Sequence, residues 1–469
     1  MLFSSIPFLY YFLPIVLILY LIVPKKKTML WGNLVLLASS LFFYFWGEPK
    51  YIYLMAGSII LGYLFGLLIE NAQNKKSKRL FLILYSCLVL GALAYFKYAG
   101  FFTKNLHSLI ASVPILKIAL PIGISFYTFQ ILSYAIDVYR GTTKAQKNIV
   151  AFGAYISMFP QLIAGPIVRY SDIAPQLEQR KTTSEDVVNG LTRFIIGLSK
   201  KILIANQLGE FCDIFRASGE KSVLFYWLFA FAYALHVFFD FSGYSDMAIG
   251  LGHIFGFRFM ENFNYPFISR SITEFWRRWH ISLGTWFRDY VYIPLGGNRV
   301  KLPRHILNIL IVWALTGFWH GAEWNFILWG LFYAVLLIAE KLIGKKLEHI
   351  PTVIRHVAVA VLTMFGFVLF AANGVSQAFS DMGSMIGMGD LPFITAETVY
   401  YLKSFSMILV VAVIAATPLF RSCAARLQEK KAAAAVMHFL QPAVLVALLI
   451  LCTAYLVDGS FNPFLYFRF

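Results

Sequence analysis

Ile306-Leu-Asn-Ile-Leu-Ile-Val-Trp-Ala-Leu-Thr-Gly-Phe-Trp-His-Gly321 is a stretch without a charged side chain, closed by a histidine between tryptophan and glycine. A second apolar run, 324–340, follows almost at once. A helix needs about 20 apolar residues to cross a bilayer, so the pair reads as two membrane helices joined by a tight turn. Outward from this pair the same reading gives further spans near 5–23, 29–47, 51–70, 79–98, 118–139, 222–241, 353–373, 396–416 and 437–457, with a shorter apolar stretch at 243–258. Composition agrees: 59% of the residues are hydrophobic, only 13% are charged, and the mean hydropathy is +0.70. A soluble domain carries about twice that charge fraction. The expectation is an all-α polytopic integral membrane protein, a single membrane domain over 1–469.

A net charge of +17 would raise the prospect of nucleic acid in a soluble protein. Here the basic residues sit in short loops beside apolar spans, so the positive-inside rule accounts for them and the implied partner is a lipid bilayer, not nucleic acid. Lys25–Lys27, Lys75–Arg79, Arg140–Lys147, Lys341–Arg355 and Arg421–Lys431 mark cytoplasmic turns, whereas 374–395 has no Lys or Arg and reads as external. If 243–258 crosses, both termini are external. The four cysteines, Cys87, Cys212, Cys423 and Cys452, have neither metal nor redox spacing. Three stretches depart from simple spans: 148–168, broken by Pro160, Gly165 and Pro166, reads as re-entrant; 192–210, carrying Lys200 and Lys201, as interfacial; and 266–304 is aromatic yet rich in arginine.

Polar groups at membrane depth are costly and face a cavity or the protein interior, so function is sought there. His320 would lie roughly 20 Å along its helix from the cytoplasmic end. Its imidazole could act as general base for a hydroxyl attacking a thioester or ester, or be a histidine hydrogen-bonded between helices. Gly317 and Gly321 would leave room for substrate. A second cluster, Trp276-Arg277-Arg278-Trp279-His280, continues through Ser282, Trp286, Arg288, Asp289 and Gly296-Gly297-Asn298-Arg299. Its arginines could bind donor phosphates and its tryptophans wall an acyl passage; equally, they could anchor an interfacial helix to headgroups. The third, Phe239-Asp240-Phe241-Ser242-Gly243-Tyr244-Ser245-Asp246, reads as a break between two helices with Ser242 or Ser245 as N-cap.

Trp276–Arg299 and Phe318-Trp319-His320-Gly321, with Leu120-Pro-Ile-Gly-Ile-Ser-Phe126, Leu162-Ile-Ala-Gly-Pro166, Glu261-Asn-Phe-Asn264 and Ser271-Ile-Thr-Glu-Phe-Trp276, resemble the membrane-bound O-acyltransferase family over nearly the whole chain. The likeness is to its bacterial alginate O-acetyltransferase branch. It implies a ring of about 11–12 transmembrane helices with re-entrant and interfacial helices around a central funnel, with the motif region at 239–330. His320 takes the position of the family's catalytic histidine and His280 that of a second polar residue. Trp276, Arg277, Arg278, Trp279, Arg288, Asp289, Asn298 and Trp319 would contact substrate, with no metal.

The resemblance further implies acetyl-CoA or another acyl thioester as donor substrate, with no bound cofactor. Acetyl would pass from the cytoplasmic side of a bacterial inner membrane to an exported polysaccharide or cell-wall glycan. The partners would be an extracytoplasmic transferase subunit and, as an alternative donor, an acyl-carrier protein. Two other activities compete: D-alanyl transfer to teichoic acid, and a flippase that moves a polymer precursor without chemistry.

Overall fold

The computed structural model describes residues 2–22, 28–163, 165–347 and 349–459, without the side chains of 28, 345, 431–434 and 438. The basic turn Lys25–Lys27 and Ala164 of the Leu162–Pro166 motif lie outside the described residues.

Among the described residues all regular structure is helical, the solution open to a lone chain segment in lipid because a helix satisfies its own backbone. Among the described residues eight helices are long and apolar enough to cross a membrane: Met29–Gly47, Pro49–Asn71, Lys75–Leu109, Val223–Ile254, Leu302–His320, Trp324–Gly344, Thr352–Ala371 and Ala435–Val457. A ninth results if Ala396–Ser404 and Ser406–Ala415, bent by 54° at their junction, form one span. The protein is a multi-pass membrane protein.

The eight or nine spans are fewer than the eleven or twelve expected, for three local reasons. Pro7–Leu21 is short. The 118–139 stretch becomes the 17-residue helix Ile124–Arg140, because Pro121 and the left-handed Gly123 (φ 74°) hold the backbone out of helix up to that point. And 243–258 is no second crossing: Val223–Ile254 is one continuous 32-residue helix, so Ser242 and Ser245 are mid-helix residues rather than caps.

The chain divides into two compact units, Met1–Phe194 with Ser245–Met260, and Ile195–Tyr244 with Glu261–Phe469. In the first, Phe3, Phe8, Phe12, Phe43 and Phe159 form an aromatic core. Buried Arg180 ties its ends together: it donates to the Tyr20 hydroxyl (3.0 Å), the Phe255 carbonyl (3.1 Å) and Asn33 Oδ1 (2.7 Å). Asp246 pairs with Arg193 at 2.8 Å.

The second unit holds the recognisable motifs. Gly243 lies against the Gly197 carbonyl, which a Cβ would approach to 2.7 Å; such small residues let membrane helices meet backbone to backbone. One turn on, Lys201 and Asp240 form an ion pair at 2.6 Å with 1% of either side chain exposed. The Lys200–Lys201 stretch was expected at the membrane interface. Lys201 is instead interior, because Asp240 offers its ammonium a partner that lipid does not.

Candidate active site

The site is built on two short helices and two long ones. Ser271 starts the first, Ile272–Arg278, by accepting from the Glu274 backbone N–H at 3.0 Å, and Glu274 Oε2 accepts from Arg270 N at 2.9 Å. This is a variant of the Ser-x-x-Glu start, in which the glutamate reaches one residue past the cap to the Arg270 N–H. Glu340, from the helix Trp324–Leu347, covers the same end: it accepts from the backbone of Ile272 and Thr273 and, at 2.7 Å, from the Thr273 hydroxyl. Thr273 and Trp276 on this two-turn helix, and His280 just past its end, are thereby carried at fixed places along the chain.

His280 joins this helix to the next, Ile281–Phe287, and sits in the left-handed region (φ 43°, ψ 52°). A non-glycine residue there stores strain of about 1–3 kcal/mol and persists only where its surroundings over-determine it. They do so here. Ile281 N donates to the Asn262 carbonyl (3.0 Å) and Asn264 N to the Arg278 carbonyl (2.9 Å), clamping the turn on both sides. His280 Nδ1 meets Asn262 Oδ1 at 3.1 Å, and Phe241 packs edge-on against the ring at 4.7 Å. Burial, and after it the neighbouring His320, push the His280 imidazole well below the usual histidine range, so it is neutral at physiological pH.

His320 ends the helix Leu302–His320 and is 5% exposed. Its ring centroid lies 6.3 Å from that of His280, 5.1 Å from Trp319, 5.1 Å from Trp329 and 5.4 Å from Phe370. Two glycines make this possible. A Cβ on Gly317 would fall 2.1 Å from the Phe326 carbonyl oxygen, and one on Gly330 the same distance from the Trp313 carbonyl oxygen. The helices Leu302–His320 and Trp324–Leu347 thus touch backbone to backbone. The expectation that Gly317 and Gly321 leave room for substrate is corrected: helix packing fills the first space and the Phe326 ring the second.

Beside the histidines lies a cavity of about 420 Å³. Of the residues singled out in the sequence, Trp276, Arg277, Trp279, His280, Arg288 and Asn298 line it. Thr316 also lines it, one helical turn before His320. The other four lie off the wall. Arg278 is held by Glu274 (2.9 Å) and the Asn264 carbonyl; Asp289 pairs with Arg288 (2.7 Å); Trp319 and His320 are packed behind. Gly296 (φ 105°) and Gly297 (φ 55°) make the turn that brings Asn298 to the rim, and Asn308 fixes it by donating to the Leu295 and Gly297 carbonyls. Exposed Arg277 and Lys341 are rim cations with no ion pair among the described residues.

Sequence reasoning missed Asn262, Trp329, Glu340 and Lys341. Trp276 and Trp329, 5.5 Å apart, each bury an indole N–H that finds no acceptor among the described residues. Asn325, five residues after His320, spends its amide N–H groups on the Ala372 and Leu369 carbonyls. A glutamate at the end of the apolar run 324–340 was the one signal available for Glu340.

The chain as a whole is similar in sequence to known proteins. Residues 144–376 fit the membrane-bound O-acyltransferase family as a profile. The chain is 40% identical to the probable alginate O-acetylase of Azotobacter vinelandii, with all of both chains covered. The chain belongs to the membrane-bound O-acyltransferase family. It is therefore an acyltransferase, and the flippase reading is set aside. Among its other relatives, the peptidoglycan O-acetyltransferase of Helicobacter pylori is 32% identical over 90% of this chain and 87% of its own. The teichoic acid D-alanyltransferase of Bacillus subtilis is 31% identical over 53% of this chain and 67% of its own.

Proposed function

We propose that this enzyme takes acetyl from a thioester on the cytoplasmic side of a bacterial inner membrane for O-acetylation of an exported exopolysaccharide or cell-wall glycan. The observation that carries the proposal is the meeting of His280 and His320 at 6.3 Å beside a cavity with a cationic rim. His320 serves as general base: it takes the proton of the attacking hydroxyl as oxygen bonds to the acetyl carbon. The carbon–sulfur bond then breaks and the proton passes to the departing thiolate. Such positioned proton transfer is worth about 10²–10⁴ in rate. The Trp276 and Trp329 N–H groups are the donors for the oxygen on which charge develops. Arg277, Lys341 and Arg288 meet the phosphates of acetyl-CoA or of an acyl-carrier protein's prosthetic arm. An extracytoplasmic transferase subunit completes delivery to the polymer.

Acetyl rather than D-alanyl is favoured because identity to the alginate O-acetylase spans the whole chain, whereas identity to the D-alanyltransferase spans about half. Labelled acetyl-CoA supplied to membranes containing the wild-type protein and its partners tests both points. Label should reach polymer with wild type and not with His320→Ala inserted at equal level. Transfer by the histidine variant at the wild-type rate refutes the assignment, and transfer of D-alanyl alone replaces the acyl group.

A further inference from the structure

Asn262 lies outside both tryptophan–histidine motifs, yet it is the side chain that holds His280. It is 1% exposed. Its Oδ1 faces three groups: His280 Nδ1 at 3.1 Å, the Ser282 hydroxyl at 2.9 Å and the Ser282 backbone N–H at 3.3 Å. Amide oxygen and nitrogen are told apart by their partners, and here one partner is unambiguous. A backbone N–H can only donate, so the oxygen of the amide, not its NH2, is turned to this cluster. An amide oxygen carries no hydrogen and can only accept. His280 Nδ1 must then be the protonated nitrogen, and in a neutral imidazole Nε2 is left with its lone pair. That Nε2 is buried and has no hydrogen-bond partner among the described residues.

We propose that Asn262 is a positioning residue that locks His280 in the Nδ1–H tautomer, so that Nε2 is the proton-accepting nitrogen offered to the reacting groups beside His320. The inference rests on the reading of His280 and His320 as the reacting pair, and it adds a division of labour. His280 enters the reaction as an acceptor at Nε2 and cannot, in its resting form, donate from that atom. The same asparagine fixes the ring's direction as well as its tautomer. Its backbone carbonyl accepts from Ile281 N, and the Asn264 N–H donates to the Arg278 carbonyl, so side chain and main chain of 262–264 grip the turn together.

The ring's titratable surroundings are few. His320 faces it at 6.3 Å. Asp240, next to the Phe241 that packs on the ring, is paired with Lys201. On the ring's own side of the turn, Glu274 is paired with Arg278, while Arg277 and Arg288 are exposed at the rim. A carboxylate placed at 262 would be a new anion in hydrogen-bond contact with Nδ1, favouring imidazolium.

The test uses full-length protein in membranes with its partners, measuring kcat, KM and the pH dependence of acetyl transfer for wild type, Asn262→Asp, Asn262→Leu, His280→Ala and His320→Ala. Asn262→Asp keeps the acceptor, so it should stay active, with the acid limb of its pH profile raised by about one unit. Asn262→Leu frees the tautomer and should lose about 10–100-fold in kcat, as partners of functional histidines do, with KM within twofold. An acid limb of Asn262→Asp that coincides with wild type overturns the inference. So does equal loss in Asp and Leu variants, which is what packing alone predicts. If Asn262→Leu fails to insert, the aspartate profile decides alone. Full activity of both histidine-to-alanine variants would instead refute the underlying assignment of the pair.

Discussion

A single methyl group added at Gly317 should cripple the enzyme from inside a helix contact. The Cβ of alanine would stand 2.1 Å from the Phe326 carbonyl oxygen and about as close as 3.2 Å to Gly330 N. Neither neighbour is a flexible side-chain tip; both are backbone. Ordinary contact begins near 3.4 Å, so the helices Leu302–His320 and Trp324–Leu347 must separate locally by about 1.3 Å. Overpacking of this kind costs about 1–3 kcal/mol in stability. The functional cost is larger, because Gly317 lies three residues before His320 and Gly330 is adjacent to Trp329. A shift of about 1 Å in a reacting group can cost on the order of 10²-fold in rate. Gly317→Ala and Gly330→Ala should therefore each lose roughly 100-fold in acetyl transfer while still inserting. Gly344→Ala on the same long helix is the control, since a Cβ there meets nothing within 4 Å; it should be neutral or stabilising by about 0.5–1 kcal/mol. The assay is label transfer to polymer, normalised to protein recovered from membranes, with detergent thermal unfolding alongside. Wild-type activity in both Gly317→Ala and Gly330→Ala would refute the claim that these contacts set the histidine's place.

The interior ion pair predicts a sign change between single and double variants. Lys201→Met alone should destabilise by about 3–5 kcal/mol, because it removes the ammonium paired with the buried Asp240 carboxylate, whereas Lys201→Met with Asp240→Leu should recover most of the loss in the same unfolding assay. The arginines divide by partner. Arg277→Ala should raise the KM for an anionic donor a few-fold, less so at high salt, whereas Arg278→Ala should leave KM unchanged and lower the unfolding temperature through loss of its Glu274 and Asn264 contacts.

The helices themselves were legible in the sequence because helix formation in lipid is a local matter. A run such as 306–320 satisfies its backbone within itself, so hydropathy and length suffice to find it. The failures occur where a polar or small residue looks local and is not. Ser242, Gly243 and Ser245 read as a helix break, yet the helix runs through them: Gly243 serves a neighbouring helix and Asp240 and Asp246 have distant cationic partners. His320 was visible because a titratable side chain in an apolar run is conspicuous, whereas His280 lies in an arginine-rich stretch and was picked out by the resemblance of its motif. Glu340 was equally conspicuous but uninterpretable, since the backbone it caps is 67 and 68 residues away.

Sequence alone determined that the chain lives in a membrane and that it is helical, because composition and 3.6-residue spacing act through nearest neighbours; His280 and His320 were singled out as a pair by the resemblance of their motifs to the family. Tertiary structure alone decided which arginine faces the cavity and which holds a helix, whether a glycine makes room for substrate or for a carbonyl, and which nitrogen of His280 carries its proton. Each of these depends on what a remote segment places within about 3 Å, and that is fixed by the fit of packed backbones, which no local pattern encodes.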